Sequence, residues 1–337
     1  VKRQPTIQDV ATLANVSTAT VSRALNSPDR VRETTRDAVQ QAVQALGYTP
    51  DFGGQALASG RTNTIGAVIP TMDNAIFARA LQSLQEELTT MGVTLLVATS
   101  QYDPEREEQQ VRALLSRGVD GLILIGQARA ARVYELLEGR AVPYALLWTT
   151  APSGQQLSIG FDNSAAAAKL VTQALQLGHR RFAMIAGITK GNDRARARVD
   201  GVRATLADAG LTLEPPYLVE GSYDIEQTVG IARALISLPE PPTVILCGND
   251  VQAAGVLKAV RQAGLSVPRD VSVLGFDDIE LATAVDPALT TIRVPHRRMG
   301  RMAAHLLIGW IKTGQRPDSV QFDTDLIWRA SLGPPPA

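Results

Sequence analysis

Apolar residues follow two rhythms along this chain, and the change between them divides it. Over the first fifty positions they recur every three or four residues, the spacing of an amphipathic helix. Ile7, Val10, Ala11 and Ala14 share one face, Val21, Ala24 and Leu25 a second, and Val39, Ala42, Val43 and Leu46 a third. Thr6 is placed to cap the first helix, with Asp9 three residues on in the position of a capping carboxylate. Asn15-Val16 interrupts that helix, and Ser17 caps the next. The third spans roughly 33–46 and is stopped by Gly47 and Pro50. Small Ala11 lets the first two helices approach closely. The third closes a miniature core across them, with Tyr48 against it.

From Asn63 the helical rhythm gives way to short, continuous apolar runs between helical segments. Strands are predicted at 65–69, 94–99, 121–126 and 144–148, separated by helices at 77–91, 104–117 and up to 139. A second series follows Phe161-Asp162-Asn163: a helix to 177, strands at 181–186, 244–247 and 271–276, and helices at 194–209, 224–238 and 251–263. The chain then crosses back at 290–295, forms a helix at 299–311 and ends in strands within 320–330. Continuous apolar strands alternating with helices signal parallel sheets covered on both faces. The fold class is therefore α/β, with an all-α N-terminal domain ahead of two doubly wound lobes.

The second helix turns Thr18, Ala19, Ser22 and Arg23 outward. Hydroxyls, a methyl and a guanidinium suit the phosphate-lined major groove of DNA, although an ordinary helical hairpin has the same periodicity. The residues themselves say more. The run Thr6-Ile-x-Asp-Val-Ala-x-x-Ala-x-Val-Ser-x-x-Thr-Val-Ser-Arg-x-Leu-Asn26 closely resembles the DNA-binding signature of the lactose-repressor (LacI/GalR) family. Asp120-Gly-Leu-Ile-Leu124, Leu177-Gly-His-Arg-Arg-Phe182, Gly275-Phe-Asp-Asp278 and Leu289-Thr-Thr-Ile292 resemble landmarks of the same family's effector core, which is periplasmic-binding-protein-like.

The resemblance implies a helix-turn-helix domain at 1–50, a hinge at 51–62 and an effector-binding core at 63–337. Its N-lobe would cover about 63–161 and 292–318, its C-lobe about 162–290 and 319–337, with crossovers near Phe161, Thr291 and Asp318. It also implies a DNA-facing set. Arg23 would pair with a guanine edge, the commonest specific contact. Thr18 and Ala19 would make smaller base contacts, Ser17, Thr20 and Ser22 would hold phosphates, and Thr6 would stand at the start of the first helix. Leu57 would be the hinge wedge that parts a base step. Two departures stand out. Gly53 and Gly54 weaken the hinge helix by about 1 kcal/mol each, and Arg32 stands where the family often caps its third helix with Ser or Thr.

Ligands of open α/β sheets bind beyond the carboxyl ends of the strands. That rule selects Asp73, Asn74, Phe77, Gln127 and Trp148 in the first lobe, and Gly187 onward, Asn249-Asp250 and Asp277 in the second. Carboxylates, amides and aromatic faces suit hydroxyl-rich sugars. The resemblance adds Arg198 and Tyr223 to Asn249 and Asp277 as effector contacts. It places Phe77, Trp148, Phe161 and His296 at pocket-lining or inter-lobe positions. Phe161 would equally serve as core and Trp148 as packing under a helix. Arg194, Arg196 and Arg198 on one helix start would otherwise form a solvated face. Where the family often shows Pro and two aromatics after Asn74, Ala75-Ile76-Phe77 leaves one ring, and Trp148 would compensate.

Bulk properties narrow the rest. A chain of 337 residues suits two or three domains, and 45% hydrophobic with 20% charged residues suits a globular protein. Lys and Arg number 33, as do Asp and Glu, so net charge does not point to nucleic acid. The first 61 residues carry seven basic and five acidic side chains, a weak basic bias. The single cysteine, Cys247, forms no internal disulfide, which fits a reducing cytoplasm. No signal-peptide-like stretch or membrane-span-length run is seen. His179, His296 and His305 lack metal-ligand spacing with Cys247, so no metal or cofactor is expected. No Gly-x-Gly-x-x-Gly follows a strand, Gly187-Ile-Thr-Lys-Gly191 lacks the order of a phosphate-binding loop, and no nucleophile–base pair stands out. The expectation is a cytoplasmic transcription regulator, not an enzyme. It would bind palindromic double-stranded operator DNA as a homodimer or higher oligomer, under a sugar-like effector. A sugar-binding transport receptor shares the two-lobe core, but residues 6–57 oppose it; a sugar-modifying α/β enzyme is the other alternative.

Overall fold

The computed structural model describes residues 3–26, 28–49, 60–151 and 156–336. It divides into two compact units, Val1–Thr62 and Asn63–Ala337.

In the first unit α1 (Ile7–Leu13), α2 (Thr18–Asn26) and α3 (Glu33–Leu46) enclose a small core. Thr6 and Asp9 form the expected capping box. Asp9 Oδ2 accepts from the Thr6 N–H and from its hydroxyl, both at 2.8 Å, and Thr6 Oγ1 accepts from the Asp9 N–H at 3.4 Å. Such a cap stabilises a helix by about 1 kcal/mol. Val10, Ala11, Val21, Ala24, Val39 and Ala42 are buried, with Ile7, Ala14, Leu25, Val43, Leu46 and Tyr48 packed on them, as the periodicity predicts. Val16 and Val31 join from the connecting segments, which have no helical period to betray them. Arg32 occupies the N-cap of α3 and makes no side-chain capping bond there.

The second unit contains two parallel sheets. The first has the order β11-β5-β4-β3-β1-β2, formed by β1 (Thr64–Ile69), β2 (Thr94–Thr99), β3 (Gly121–Ile125), β4 (Tyr144–Leu147), β5 (Leu157–Gly160) and β11 (Val320–Gln321). Between its strands run α4 (Ala75–Thr90), α5 (Pro104–Ser116) and α6 (Ala131–Gly139), and the late helix α12 (His296–Thr313) packs along α4. The second sheet has the order β7-β6-β8-β9, from β6 (Phe182–Gly187), β7 (Leu218–Gly221), β8 (Val244–Cys247) and β9 (Ser272–Leu274). Side chains alternate across it. Phe182 and Met184 face α7 (Asn163–Gln176) and α8 (Asp193–Asp208), whereas Ala183 and Ile185 face α9 (Ile225–Ile236) and α10 (Asp250–Gln262). A short α11 (Leu281–Ala284) follows β9.

Three connections join the lobes, and Phe161, Phe276, Ile292, Val294 and Phe322 make one continuous core through them. The third differs from expectation. The expected second lobe takes in residues 319–337, after a crossover near Asp318. Instead Val320 pairs with Ile159 at the edge of the first sheet, and only β12 (Asp325–Ile327) returns, antiparallel to β10 (Thr291–Arg293). The edge of β5 offers unpaired backbone groups, and two residues of β11 satisfy them before the chain leaves. Strands β5 and β7 lie outside the expected set: Ser158 and Glu220 interrupt their apolar runs and each ends in glycine.

Candidate functional site

Ser17, Ala19 and Arg23 are exposed on α2, and Thr18, Thr20 and Ser22 are half-buried. Ser17 Oγ accepts from the Thr20 N–H at 3.1 Å and lies 2.9 Å from the Thr20 hydroxyl. These two hydroxyls thus form one polar patch at the start of α2. Arg23 folds back on its own helix, its Nε donating to the Ala19 carbonyl at 3.3 Å. Thr6 is committed to its capping box, so its hydroxyl sets the helix start. Leu57, with Gly53 and Gly54, lies outside the described residues.

In the second unit the carboxyl ends of the strands meet across a cleft between the lobes. An inner cavity there is lined by Asn74, Phe77, Trp148, Arg198, Tyr223, Asn249 and Asp277, together with Ile76, Tyr102, Asn192 and Arg194. Asn74 caps α4 through Oδ1, which accepts from the Ile76 N–H at 3.2 Å, and its Nδ2 is buried without a partner. Phe77 meets Trp148 edge to face at 5.3 Å, so the single ring left by Ala75-Ile76-Phe77 has the compensating neighbour. Asn249 caps α10, accepting from the Gln252 N–H at 2.9 Å. Gly187 makes room for Tyr223: a Cβ there would meet the phenol oxygen at 2.1 Å.

Arg198 is the hub. Its Nε donates to Asn163 Oδ1 at 2.9 Å, its Nη1 to the Gly248 carbonyl at 2.7 Å, and its plane lies 3.6 Å from the Phe276 ring centre. Buried cation–π contacts of this kind are worth about 2 kcal/mol. Its Nη2 stands 3.8 Å from Asp277 Oδ1. Asp277 is 1% exposed, and neither carboxylate oxygen has a hydrogen bond. Burial raises its pKa to about 6, partly opposed by Arg198. Its φ of +102° aims the side chain where ordinary backbone would not. Behind it, His296 Nε2 is 3.8 Å from the same Oδ1, but burial and nearby arginines push that histidine down to about 3. The contact is thus a neutral imidazole facing a carboxylate rather than an ion pair.

The structure brings six of the ten expected effector residues onto the inner cavity: Phe77, Trp148, Arg198, Tyr223, Asn249 and Asp277. The other four stand elsewhere. Asp73 is exposed and accepts from the Thr71 hydroxyl at 3.3 Å. Gln127 turns its side chain to solvent while its N–H donates to Asp193 Oδ2 at 3.0 Å. Phe161 is core, stacked on Phe276 at 6.1 Å. His296 backs the wall through Trp148, whose Nε1 donates to His296 Nδ1 at 3.1 Å. Tyr102, just beyond the end of β2, also lines the cavity; the strand-end rule covers it, although it is not among the expected residues. The sequence also leaves Arg194 open. Arg194 and Arg198 are buried, one turn apart, while Arg196 is exposed.

No group of His, Cys, Asp and Glu among the described residues could hold a metal ion, and no described helix is long and apolar enough to cross a membrane. The Cys247 thiol is buried and its pKa is pushed up by that burial, which makes it a poor nucleophile.

Comparison with known proteins follows the same division. Residues 6–51 match the model for bacterial regulatory proteins of the lacI family, and residues 159–332 match the periplasmic binding protein-like domain. The HTH-type transcriptional repressor CytR of Escherichia coli is 32% identical over 329 residues, 97% of this chain and 96% of CytR. The ribose operon repressor of Haemophilus influenzae is 33% identical over 309 residues, 91% of this chain and 92% of its own length. Among solved structures, the lac repressor dimer bound to operator and the anti-inducer ONPF is 26% identical, with a TM-score of 0.86, over 98% of this chain and 99% of its own. A signature over the first helices, a two-lobe core and relatives spanning nearly the whole length place the chain in the LacI family of bacterial regulatory proteins.

Proposed function

We propose that this protein is a cytoplasmic transcriptional repressor that reads its operator with α2 and senses a hydroxylated small molecule in the inter-lobe cleft. As a LacI-family member it is a DNA-binding regulator rather than an enzyme. Two copies would place paired recognition helices on a pseudo-palindromic operator. Arg23 reads guanine, Thr18 and Ala19 make the smaller base contacts, and the Ser17, Thr20 and Ser22 hydroxyls hold phosphates.

One observation carries the effector reading. Buried polar atoms without partners cost free energy and persist where they have a use. The inner cavity has an orphan donor, Asn74 Nδ2, facing the same space as two orphan acceptors, the oxygens of Asp277. A hydroxyl is the group that both donates and accepts, and the Phe77 and Trp148 rings offer faces to the C–H bonds of a polyol. Effector then acts through its differential affinity for two lobe arrangements.

The test is a gel shift with DNA from upstream of the protein's own gene, with and without a panel of sugars. A retarded band whose intensity responds to one sugar is expected. Asp277→Ala should keep the band and lose the response; a response that survives removes Asp277 from the effector site.

A further inference from the structure

A separate cavity of about 400 Å³ opens where the connections between the lobes come together. That is a usual size for a small-molecule site. Arg79 of α4, Asp278 beyond β9, the start of α12 and Asp323 and Asp325 of the third connection all face it. It shares no lining residue with the inner cavity. His296 stands between the two. It lines this space, while its ring accepts from Trp148 and lies 3.8 Å from Asp277, both of which line the inner cavity.

Four arginines line the cavity, and they are not equally engaged. Arg293 Nε donates to Asp278 Oδ2 at 2.7 Å, and Arg329 Nη2 donates to the other oxygen at 2.7 Å. Arg79 Nη2 lies 3.1 Å from Glu280 Oε1. Asp325 sits directly across from Arg293 in the β10–β12 pair. Arg297 and Arg298 are exposed and have no ion-pair partner among the described residues. Arg298 lies over the Phe322 ring at 5.0 Å, a contact that positions its charge without neutralising it. These two arginines open α12, which is short of acceptors. Pro295 at its N-cap makes no side-chain bond, and its first turn has no acidic residue. The His296 N–H donates to the Val294 carbonyl at 2.9 Å and that of Met299 to Pro295 at 3.0 Å. No acceptor among the described residues takes the N–H groups of Arg297 and Arg298. Free N–H groups at a helix start favour an anion, above all a phosphate.

We propose that this cavity is a second ligand site, apart from the cleft, that takes a hydroxylated phosphomonoester. The phosphate sits at the start of α12, on the free N–H groups and the Arg297 and Arg298 guanidiniums. The space is larger than a phosphate, and the rest of its lining sets the ester. Asp323 has no ion-pair partner among the described residues, so it accepts from hydroxyls and repels a second phosphate. Val294 and Pro295 offer a short apolar wall to the carbon chain. Arg79 belongs to the first lobe and Asp278 to the second, so an occupant touches both lobes at once. The site stands or falls independently of the effector assigned to the cleft.

The experiment is an NMR titration of the full chain with glycerol 3-phosphate, inorganic phosphate and glycerol, read from the ring signals of its three histidines. Glycerol 3-phosphate should shift the His296 signal and leave that of His179, enclosed by Thr243 and Gly333, in place. It should bind about five-fold or more tightly than inorganic phosphate, and glycerol should shift nothing. Arg297→Gln, at an exposed side chain, should weaken glycerol 3-phosphate about ten-fold. Arg140→Gln, which removes the same charge from an exposed position elsewhere on the first lobe, should not. A His296 signal that stays still, or an unchanged affinity in Arg297→Gln, overturns the site. Equal affinity for inorganic phosphate overturns the assignment to a hydroxylated monoester.

Discussion

The indole N–H of Trp148 donates to Nδ1 of His296 at 3.1 Å, and that bond fixes the tautomer of the histidine. With Nδ1 accepting, the proton of the neutral ring sits on Nε2, which faces Asp277. Trp148→Phe keeps a ring in the pocket wall and removes the donor. Loss of one buried hydrogen bond and part of the indole should destabilise the second unit by about 2 kcal/mol. Chemical denaturation measures this, and NMR titration should show the His296 pKa moving up from its depressed value. An unchanged titration would show that the indole does not hold the ring.

The pH dependence at Asp277 has a definite sign. Its pKa is raised to about 6 from an ordinary 3.8, so the folded state favours the protonated acid. Its contribution is therefore most favourable in acid and is lost as pH rises from about 4 to about 6. Asp277→Asn removes this titration and tolerates positive φ. The stability of the wild type relative to Asp277→Asn should fall by about 1 kcal/mol between pH 5 and pH 7, as read from paired denaturant curves. Effector affinity should run the other way and rise over the same interval, because the carboxylate is the better acceptor.

For Arg23→Ala the expected cost is about 1–3 kcal/mol on an operator selected from a random DNA pool, and much less on unrelated DNA. Binding isotherms on both sequences at one salt concentration give the answer. Equal losses on the two would turn Arg23 into a phosphate contact.

The cap on α1 gives a test confined to the first unit. Thr6→Ala removes the hydroxyl from its bonds with Asp9 and should lower the stability of that unit by about 1 kcal/mol. Helix unfolding followed by circular dichroism on residues 1–62 would show it. If thermal stability were unchanged, the hydroxyl would be free to serve DNA instead.

Much of this was legible in the chain, for reasons that also mark where legibility stops. The three N-terminal helices declared themselves because their buried residues keep a strict period and Thr6, Ser17 and Gly47 punctuate them. The parallel sheets showed through unbroken apolar strands such as Gly121–Ile125. Strand ends pointed to the cleft, yet a one-dimensional rule cannot tell which neighbour at a strand end faces inward. Asp73 and Asn74 are adjacent, but only Asn74 lines the cavity, because capping α4 turns it toward the cleft. The arginines of α8 were ambiguous for the same reason: helical spacing groups Arg194 with Arg198, but only packing shows that face to be the inner one. A strand is expected where β11 lies, but not the sheet it joins, since that is set by the open edge of β5 rather than by its own two residues.

The contact between Asp193 and the backbone of Gln127 has a consequence for how the lobes move. Asp193 opens α8 in the second lobe, Gln127 follows β3 in the first, and Gly126 between them has φ +70° and no space for a side chain. That bond ties the mouth of one lobe to the first turn of a helix in the other, so any movement that parts α8 from the end of β3 gives it up.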